Sequence, residues 1–327
     1  MKNNKKYFIG GTIAIILIIV LTFLVKPDLF KNDKKDTKEK KDTQEVTKKK
    51  ITPLIYKVTK DGSDTTIYLF GSIHVADVNN YEFPKYFDEA FNSSDYVTCE
   101  YDSTKETDEV KEMLGQIYLD DTTLKDHVSS DSYEKIKNFF EENGENIKDY
   151  EDYKLSAILS QMQFFLIQKL NLKIEVGIDD YIINKAKTAG KEVLEVESEE
   201  FQDNFLSNVS ERVYEIGIVE TIDHFDDEVE KTRKLIESWE TGYEEGLLDE
   251  TISASDEEKY SKDDIELVKE FNKNLFDDRN ITMTEKFEQY FNDNKNTFFM
   301  VGAGHIVGEN GIANLLRQKG YIVEKLK

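Results

Sequence analysis

The chain has 327 residues, enough for one large domain or two ordinary ones, and its 43 Lys and Arg against 67 Asp and Glu give a formal net charge of −24. Residues 1–50 carry +7 and residues 51–327 therefore carry −31, a charge that excludes general electrostatic binding of nucleic acid. The single cysteine, Cys99, excludes an intramolecular disulfide and zinc sites made of cysteine pairs.

The first predicted element is a membrane anchor. Residues 7–25 are almost entirely apolar and uncharged, and as a helix they span roughly 28 Å, about the thickness of a hydrocarbon core. Lysines precede this run within residues 1–6, which favours a cytoplasmic N-terminus. A cleaved signal peptide is the alternative, but the run is long for one and no Ala-x-Ala site follows. We therefore expect a single-pass protein of the cell membrane whose C-terminal domain is extracellular.

The next segment, residues 26–50, is predicted to be a disordered, Lys-rich linker. It consists mainly of Lys, Asp, Thr and Asn and has almost no large apolar side chains with which to build a core. The folded domain is therefore expected to occupy residues 51–327.

The folded domain shows strand and helix patterns in alternation. Short β-branched and aromatic runs predict strands at 66–70, 96–99, 193–196, 297–301 and 321–323. Apolar or amphipathic patterns predict helices at 84–92, 155–170, 179–189 and 312–319. This order indicates an α/β fold with a largely parallel or mixed central sheet flanked by helices. The helical stretches near 104–170 and 203–292 are predicted to be insertions that form a cap.

Two of the four histidines follow predicted strands in the same way. His74 ends a Gly-x-x-His that starts at Gly71, and His305 ends a second one that starts at Gly302. In open parallel sheets, ligands bind beyond the carboxyl ends of the strands, and glycine there allows a close approach. Imidazole is a metal ligand or a base near neutral pH, so the pair predicts a metal site.

Two other interpretations of these loops remain open. Both histidines can be structural and hydrogen-bonded to backbone, since Gly-x-x-His is a short pattern. A phosphate-binding loop at Gly302–Gly304 is disfavoured, because the following glycines do not give Gly-x-Gly-x-x-Gly and no Gly-Lys-Ser/Thr is present.

Six short elements in the folded domain occur together in a recognisable order: Gly71–Val75, Val97–Asp102, Gly177–Asp179, Val196–Gln202, Arg279–Asn280 with Met283, and Gly302–Gly311. Through these elements, the chain resembles the TraB/GumN family from residue 54 to residue 326. This family includes the TraB and PrgY pheromone-shutdown proteins and the TIKI proteases. Val196 and Ser198 stand where Leu and Thr are usual in the family. The resemblance implies a metal-dependent protease of the TIKI kind, which uses both histidines and an acidic residue, or a protein that reduces the activity of a secreted peptide.

With this resemblance, the acidic residues at strand ends join the predicted site. We expect His74, His305 and Glu100 to bind a divalent metal ion, Zn, Mn, Co or Fe, and Glu100 or Glu197 to act as base. Arg279 is predicted to hold a substrate carboxylate or an oxyanion, with Asn280 orienting it. The plainer alternatives are solvated glutamates and an Arg279 that only pairs with the neighbouring Asp277 or Asp278.

Three functions follow as hypotheses. The first is a membrane-anchored, metal-dependent peptidase that acts on peptides or protein N-termini outside the cell. The second is a protein that binds and sequesters a secreted signalling peptide without cleaving it. The third is a metal-dependent hydrolase of a non-peptide bond, since a fold does not fix a reaction. The sequence leaves the identity of the metal, the substrate and the oligomeric state open.

Overall fold

The structure is a computed structural model that describes residues 48–105, 115–172, 174, 176–251 and 259–327. The predicted anchor at 7–25 and nearly all of the linker at 26–50 lie outside these residues. Among the residues that are described, no helix is both long and apolar enough to cross a membrane. The anchor and the linker therefore stay predictions.

A six-stranded mixed sheet forms the centre of the domain. In chain order the strands are β1 (Lys49–Lys50), β2 (Ile55–Thr59), β3 (Ile67–Ser72), β4 (Tyr81–Glu82), β5 (Tyr96–Cys99), β6 (Glu192–Glu195), β7 (Thr297–Gly302) and β8 (Ile322–Lys325). The spatial order in the large sheet is β6-β5-β7-β3-β2-β8, and β1 pairs with β4 separately. The first four strands of that order run parallel, whereas β2 is antiparallel to both β3 and β8. The α/β fold with a mixed sheet is thus confirmed.

The two central strands are apolar along nearly their whole length. β3 and β7 pair in parallel over six residues each, and nearly all of these residues are buried. A strand covered by helices on both faces needs apolar side chains on both sides, which explains the continuous apolar runs. The ends of β3 and β7 are therefore held beside each other by a rigid, buried pair of strands.

Helices occupy the intervals between the strands. They are α1 (Lys85–Ser93), α2 (Leu124–His127), α3 (Ser130–Glu142), α4 (Leu155–Lys169), α5 (Ile178–Thr188), α6 (Glu199–Ser207), α7 (Glu211–Asp223), α8 (Phe225–Thr241), α9 (Glu244–Thr251), α10 (Lys262–Asn272), α11 (Arg279–Asn292), α12 (Ala303–Ile306) and α13 (Ile312–Gln318). Turns of 3-10 helix lie at Val78–Asn80 and Ile147–Tyr150, and a π-helical turn at Lys273–Asp278 joins α10 to α11. The four predicted helices are confirmed within two residues at each end.

The domain has two hydrophobic cores. One surrounds the sheet, and the other consists only of helix and loop residues from the two stretches 124–165 and 213–275. This second core lies within the predicted helical insertions. The cap prediction is wrong for α11, however, because Met283, Phe287 and Phe291 form a stripe that packs in the core of the sheet.

The end of the linker is tied to the domain at the C-terminus of α8. β1 pairs with β4, and the backbone N–H of Thr52 donates to the carbonyl of Glu240 at 2.7 Å. Next to Glu240, the indole of Trp239 is fully buried and its Nε1–H donates to the carbonyl of Gly71 at 2.9 Å. The same turn of α8 therefore holds both the start of the domain and the first Gly-x-x-His loop.

Candidate metal centre and catalytic site

Four predicted site residues lie just past the carboxyl ends of four adjacent strands. Glu197 follows β6, Glu100 follows β5, His305 follows β7 and His74 follows β3. Because these strands run parallel and are neighbours in the sheet, their carboxyl ends share one edge. The structure therefore brings the four side chains to the same edge of the sheet, as the strand-end argument requires.

The two Gly-x-x-His loops contact each other directly. A Cβ at Gly71 would lie 3.0 Å from both Cα and Cβ of Ala303, closer than normal packing allows. A Cβ at Gly302 would lie 3.4 Å from Glu100 Oε1 and 3.8 Å from His305 Cδ2. Glycine at Gly71 is thus required for the close approach of the loops, and Gly302 lies between Glu100 and His305.

A buried ion cluster joins Arg279 to both glutamates. Arg279 donates from Nε to Glu197 Oε1 at 2.8 Å and from Nη2 to Glu197 Oε2 at 2.7 Å. The same Nη2 donates to Glu100 Oε2 at 2.8 Å. The side chains of Arg279 and Glu197 are only 4% and 3% exposed, so the pair is fully removed from water. Charged groups are buried in this way only when they are paired and hydrogen-bonded.

This arrangement gives Arg279 partners that the sequence did not suggest. Neither Asp277 nor Asp278 pairs with it; its carboxylates come from Glu100 and Glu197, which are 179 and 82 residues away in the chain. Burial by itself would raise the pKa of Glu100, but the guanidinium of Arg279, together with the two histidines and the N–H of Gly302, outweighs burial and holds that pKa below its usual range. Glu100 is therefore ionised in the cluster.

Gln202, the last residue of the Val196–Gln202 element, completes the cluster. Its Nε2 donates to Glu197 Oε2 at 3.0 Å and to Glu100 Oε2 at 3.2 Å, and the residue is buried. Glu100 Oε1 is bonded differently, because it accepts the backbone N–H of Gly302 at 2.8 Å. Gln202 has no role in the site predicted from the sequence. Its position at the end of the Val196–Gln202 element is the one sequence feature that could have pointed to it.

His305 is held by Asn280 in one tautomer. His305 Nδ1 lies 2.7 Å from Asn280 Oδ1, while Asn280 Nδ2 donates to the carbonyl of Asn310 at 2.9 Å. A carbonyl only accepts, so the amide nitrogen faces Asn310 and the amide oxygen accepts from His305 Nδ1–H. The lone pair of the neutral ring is then on Nε2. Burial and the nearby Arg279 lower the pKa of His305 to about 3, so this ring is neutral.

His74 is held by a carboxylate instead. Its Nδ1 lies 3.3 Å from Asp179 Oδ2, and Ser72 Oγ donates to Asp179 Oδ1 at 2.8 Å. Burial would lower the pKa of His74, but Asp179, together with the charges of Glu100 and Asp180, outweighs burial and raises the pKa to about 9. His74, His305 and Glu100 lie near enough for each to act on the pKa of another.

The donor atoms fit a divalent metal ion in kind and in charge. An oxygen lies beside Nδ1 of each histidine, at 2.7 Å for His305 and 3.3 Å for His74, which leaves Nε2 for a metal, the usual arrangement around ligating imidazoles. With both imidazoles neutral, as metal ligands must be, three carboxylates (Glu100, Glu197 and Asp179) against Arg279 leave two negative charges, which matches a dication. Within the described ranges, however, no group of three His, Cys, Asp or Glu side chains stands ready at metal-binding geometry.

The other two histidines lie away from this edge. His127 stacks on Tyr118 with ring centroids 3.7 Å apart, and its Nδ1 lies 2.8 Å from Glu211 Oε1. His127 is therefore packed at the C-terminus of α2 and takes no part in the site at the sheet edge. His224 is the more exposed of the two, and its side chain is 40% exposed.

Comparison with known proteins gives a family. Neither the curated proteins nor the solved structures yield a match. The model of the TraB/PrgY/gumN family, by contrast, matches residues 54–325, which include every strand-end residue described above and nearly the whole folded domain. This match confirms the resemblance found in the sequence. The chain belongs to the TraB/PrgY/gumN family.

Proposed function

We propose that this protein is a membrane-anchored, metal-dependent peptidase that acts on peptides or protein N-termini outside the cell. The observation that carries the proposal is the pair of histidines after the adjacent strands β3 and β7, each with Nδ1 occupied by an oxygen. The placement in the membrane rests on the apolar run at residues 7–25.

In the proposed site, His74 and His305 bind the metal ion through Nε2, and Glu100 is the third ligand. A divalent ion bound there would polarise a peptide carbonyl and acidify water. The Nδ1 neighbours Asp179 and Asn280 orient the two rings so that each Nε2 faces the ion, which displaces the Nε2 proton of His74 when it binds.

The two glutamates have different roles in this proposal. Both oxygens of Glu197 are bonded to Arg279, and Oε2 also accepts from Gln202, so Glu197 orients the guanidinium. Glu100 Oε1 has no bond to Arg279 and accepts only the N–H of Gly302. Oε1 is therefore the atom of the cluster that can contact the ion. Arg279 keeps Glu100 ionised for that purpose, and the lowered pKa favours the role of a ligand over that of a base.

Metal content tests the proposal first. The full-length chain in detergent, and its His74→Ala and His305→Ala variants, are analysed for bound metal by mass spectrometry after loading with Zn, Mn or Co. We expect near-stoichiometric metal in the wild type and loss in both variants, with circular dichroism unchanged. His127→Ala is the control, because His127 lies outside the site and its loss should leave the metal in place.

Activity is then measured on a panel of peptides and on small esters. Cleavage of peptides that is abolished by a chelator and by either histidine variant would support the peptidase. Cleavage of esters alone would move the proposal to another bond, and a metal-free wild type with undiminished cleavage would contradict it.

One observation favours a second function, the capture of a peptide without cleavage. Arg279 already donates to both glutamates, and within the described part of the chain no three-ligand group stands preformed. An edge of this kind can bind a peptide and leave it intact. Recovery of intact peptide after long incubation with metal-loaded protein, together with measurable affinity, would favour this function.

A further inference from the structure

The first Gly-x-x-His loop has a carboxylate partner outside the predicted site. We propose that Asp179 is a positioning residue that fixes the ring of His74 through Nδ1 and thereby presents Nε2 to the metal ion. This inference rests on the proposed metal site and adds a residue to which the sequence analysis gave no chemical role.

The contacts of Asp179 connect the strand to the histidine that follows it. Oδ1 accepts from the hydroxyl of Ser72, the last residue of β3, at 2.8 Å. Oδ2 lies 3.3 Å from His74 Nδ1, is buried and has no hydrogen bond of its own in this geometry. A buried carboxylate oxygen needs a partner, and Nδ1 of His74 is the nitrogen beside it. One carboxylate thus contacts both ends of the short loop from Ser72 to His74.

The backbone holds Asp179 in that place. Asp77, three residues after His74, forms an isolated antiparallel bridge with Gly177, and the N–H of Val78 donates to the carbonyl of Val176 at 3.0 Å. Gly177 is the N-cap of α5, so the first turn of this helix is fixed against the chain that leaves the His74 loop. The approach of Asp179 to His74 is therefore set by main-chain pairing and does not depend on one flexible side chain.

The two histidines consequently have different supports. Asn280 holds His305 with a neutral amide, whereas Asp179 holds His74 with a charge. A carboxylate at Nδ1 makes the opposite nitrogen a stronger metal ligand, and removal of such a partner typically weakens metal binding by about 10- to 100-fold.

A purely helical role for Asp179 is the competing explanation, and the chain supplies its control. Asp179 and Asp180 both lie in the first turn of α5, where acidic side chains favour the helix dipole. Asp179 forms the ion-pair contact with His74, whereas Asp180 Oδ1 accepts from the hydroxyl of Ser103 and acts on His74 only through its charge. Asp179→Asn and Asp180→Asn therefore change charge equally at the start of α5, but only Asp179→Asn changes the contact at His74.

The test measures Zn affinity of the full-length chain in detergent by competition with a chromophoric chelator. We expect Asp179→Asn to weaken binding by about 10- to 100-fold and Asp180→Asn by less than about threefold. Equal losses in the two Asn variants would overturn the proposal.

A second readout separates this proposal from the proposed function. The ¹⁵N resonances of His74 in the metal-free chain should shift in Asp179→Asn and stay in place in Asp180→Asn. If the wild type binds no metal, the proposed metal site is refuted. A shift of the His74 resonances in Asp179→Asn but not in Asp180→Asn would then still support the positioning role of Asp179. Unchanged His74 resonances in Asp179→Asn would overturn that role whether or not metal binds.

Discussion

At the scale of single residues, the buried Arg279 is the group whose removal should cost most. Its two donor nitrogens satisfy Glu197 on both oxygens and also Glu100, all out of water. Arg279→Met would leave those carboxylates buried without their cation, and breaking such a pair typically costs about 3–5 kcal/mol. We expect that loss in the free energy of unfolding, measured by urea denaturation followed by circular dichroism.

Arg233 provides the exposed control for this prediction. It donates from Nη1 to Glu230 Oε2 at 2.7 Å, and both side chains are 50% exposed. Arg233→Met should cost no more than about 1 kcal/mol, because water solvates the carboxylate that remains. Similar losses of unfolding free energy in the two variants would contradict the idea that burial makes the Arg279 cluster important for stability.

The histidine pair predicts how the stability of the metal-free protein depends on pH. The pKa of His74 is raised to about 9, so its stabilisation is complete below the unfolded value of 6.5 and is lost as pH rises through 9. The pKa of His305 is lowered to about 3, so its stabilisation is present above 6.5 and is lost as pH falls. In the presence of a chelator, the midpoint temperature of thermal unfolding of the full-length chain should therefore be highest near pH 6.5 within the pH range from 5 to 9.

Asp179→Asn checks the alkaline side of that profile. Asp179 contributes most to raising the pKa of His74, ahead of Glu100 and Asp180, so its loss should make the fall between pH 6.5 and 9 shallower and leave the acidic side unchanged. A variant profile that falls as steeply as the wild-type profile would assign the dependence to other groups.

At the scale of elements, the contact between the two Gly-x-x-His loops has no spare room. A methyl group at Gly71 would meet the backbone and side chain of Ala303 at 3.0 Å, and neither belongs to a flexible chain end. Gly71→Ala should therefore separate the ends of β3 and β7, at a cost of about 1–3 kcal/mol, and weaken metal binding. Differential scanning calorimetry and the Zn competition assay measure the two effects.

Gly115 is the control for this substitution. A Cβ built there has no atom within 4 Å, and its φ does not require glycine. Gly115→Ala should leave metal binding as it is. If Gly71→Ala bound metal as tightly as the wild type, the close contact of the loops would have no bearing on the site.

The arrangement of elements also separates what the sequence predicts from what it does not. One rule predicted that four side chains lie at the same place: the carboxyl ends of neighbouring parallel strands share an edge of the sheet. These side chains are His74, Glu100, Glu197 and His305. β2 was missed, since Ile55–Thr59 is short, is interrupted by Lys57 and directly follows the linker. Its antiparallel pairing with β3 and β8 makes the sheet mixed.

Side-chain partners were less predictable than strand ends. Sequence proximity favours Asp277 and Asp278 for Arg279, but the fold offers carboxylates from two other strand ends. Gln202 and Asp179 complete the site through contacts that link residues about a hundred positions apart, as Gln202 does with Glu100 and Asp179 with Ser72. Strand and helix patterns are local, whereas these side-chain pairings depend on how elements distant in the sequence pack together. They therefore cannot be predicted from local patterns in a single sequence.

At the scale of the whole molecule, the charge distribution predicts a preference among ligands. Residues 51–327 carry −31, and the candidate site itself keeps an excess of carboxylates over Arg279. A field of one sign raises the local concentration of oppositely charged ligands and speeds their association. The proposed peptide ligand should therefore bind faster and more tightly when it is cationic than when an otherwise similar peptide is anionic.

The salt dependence of peptide association distinguishes the electrostatic field of the whole domain from a specific contact at the site. The screening length falls from about 30 Å at 0.01 M salt to about 3 Å at 1 M, so a preference that arises from the whole domain should fade over that range. We expect the association-rate ratio of matched peptides with three positive or three negative charges to exceed about tenfold at low salt and approach one at 1 M. Stopped-flow binding to the full-length chain measures the ratio, with a neutral peptide as control. A ratio that persists at 1 M salt would assign the preference to paired groups at the edge of the sheet, where Glu100 and Glu197 are shielded from bulk ions by burial.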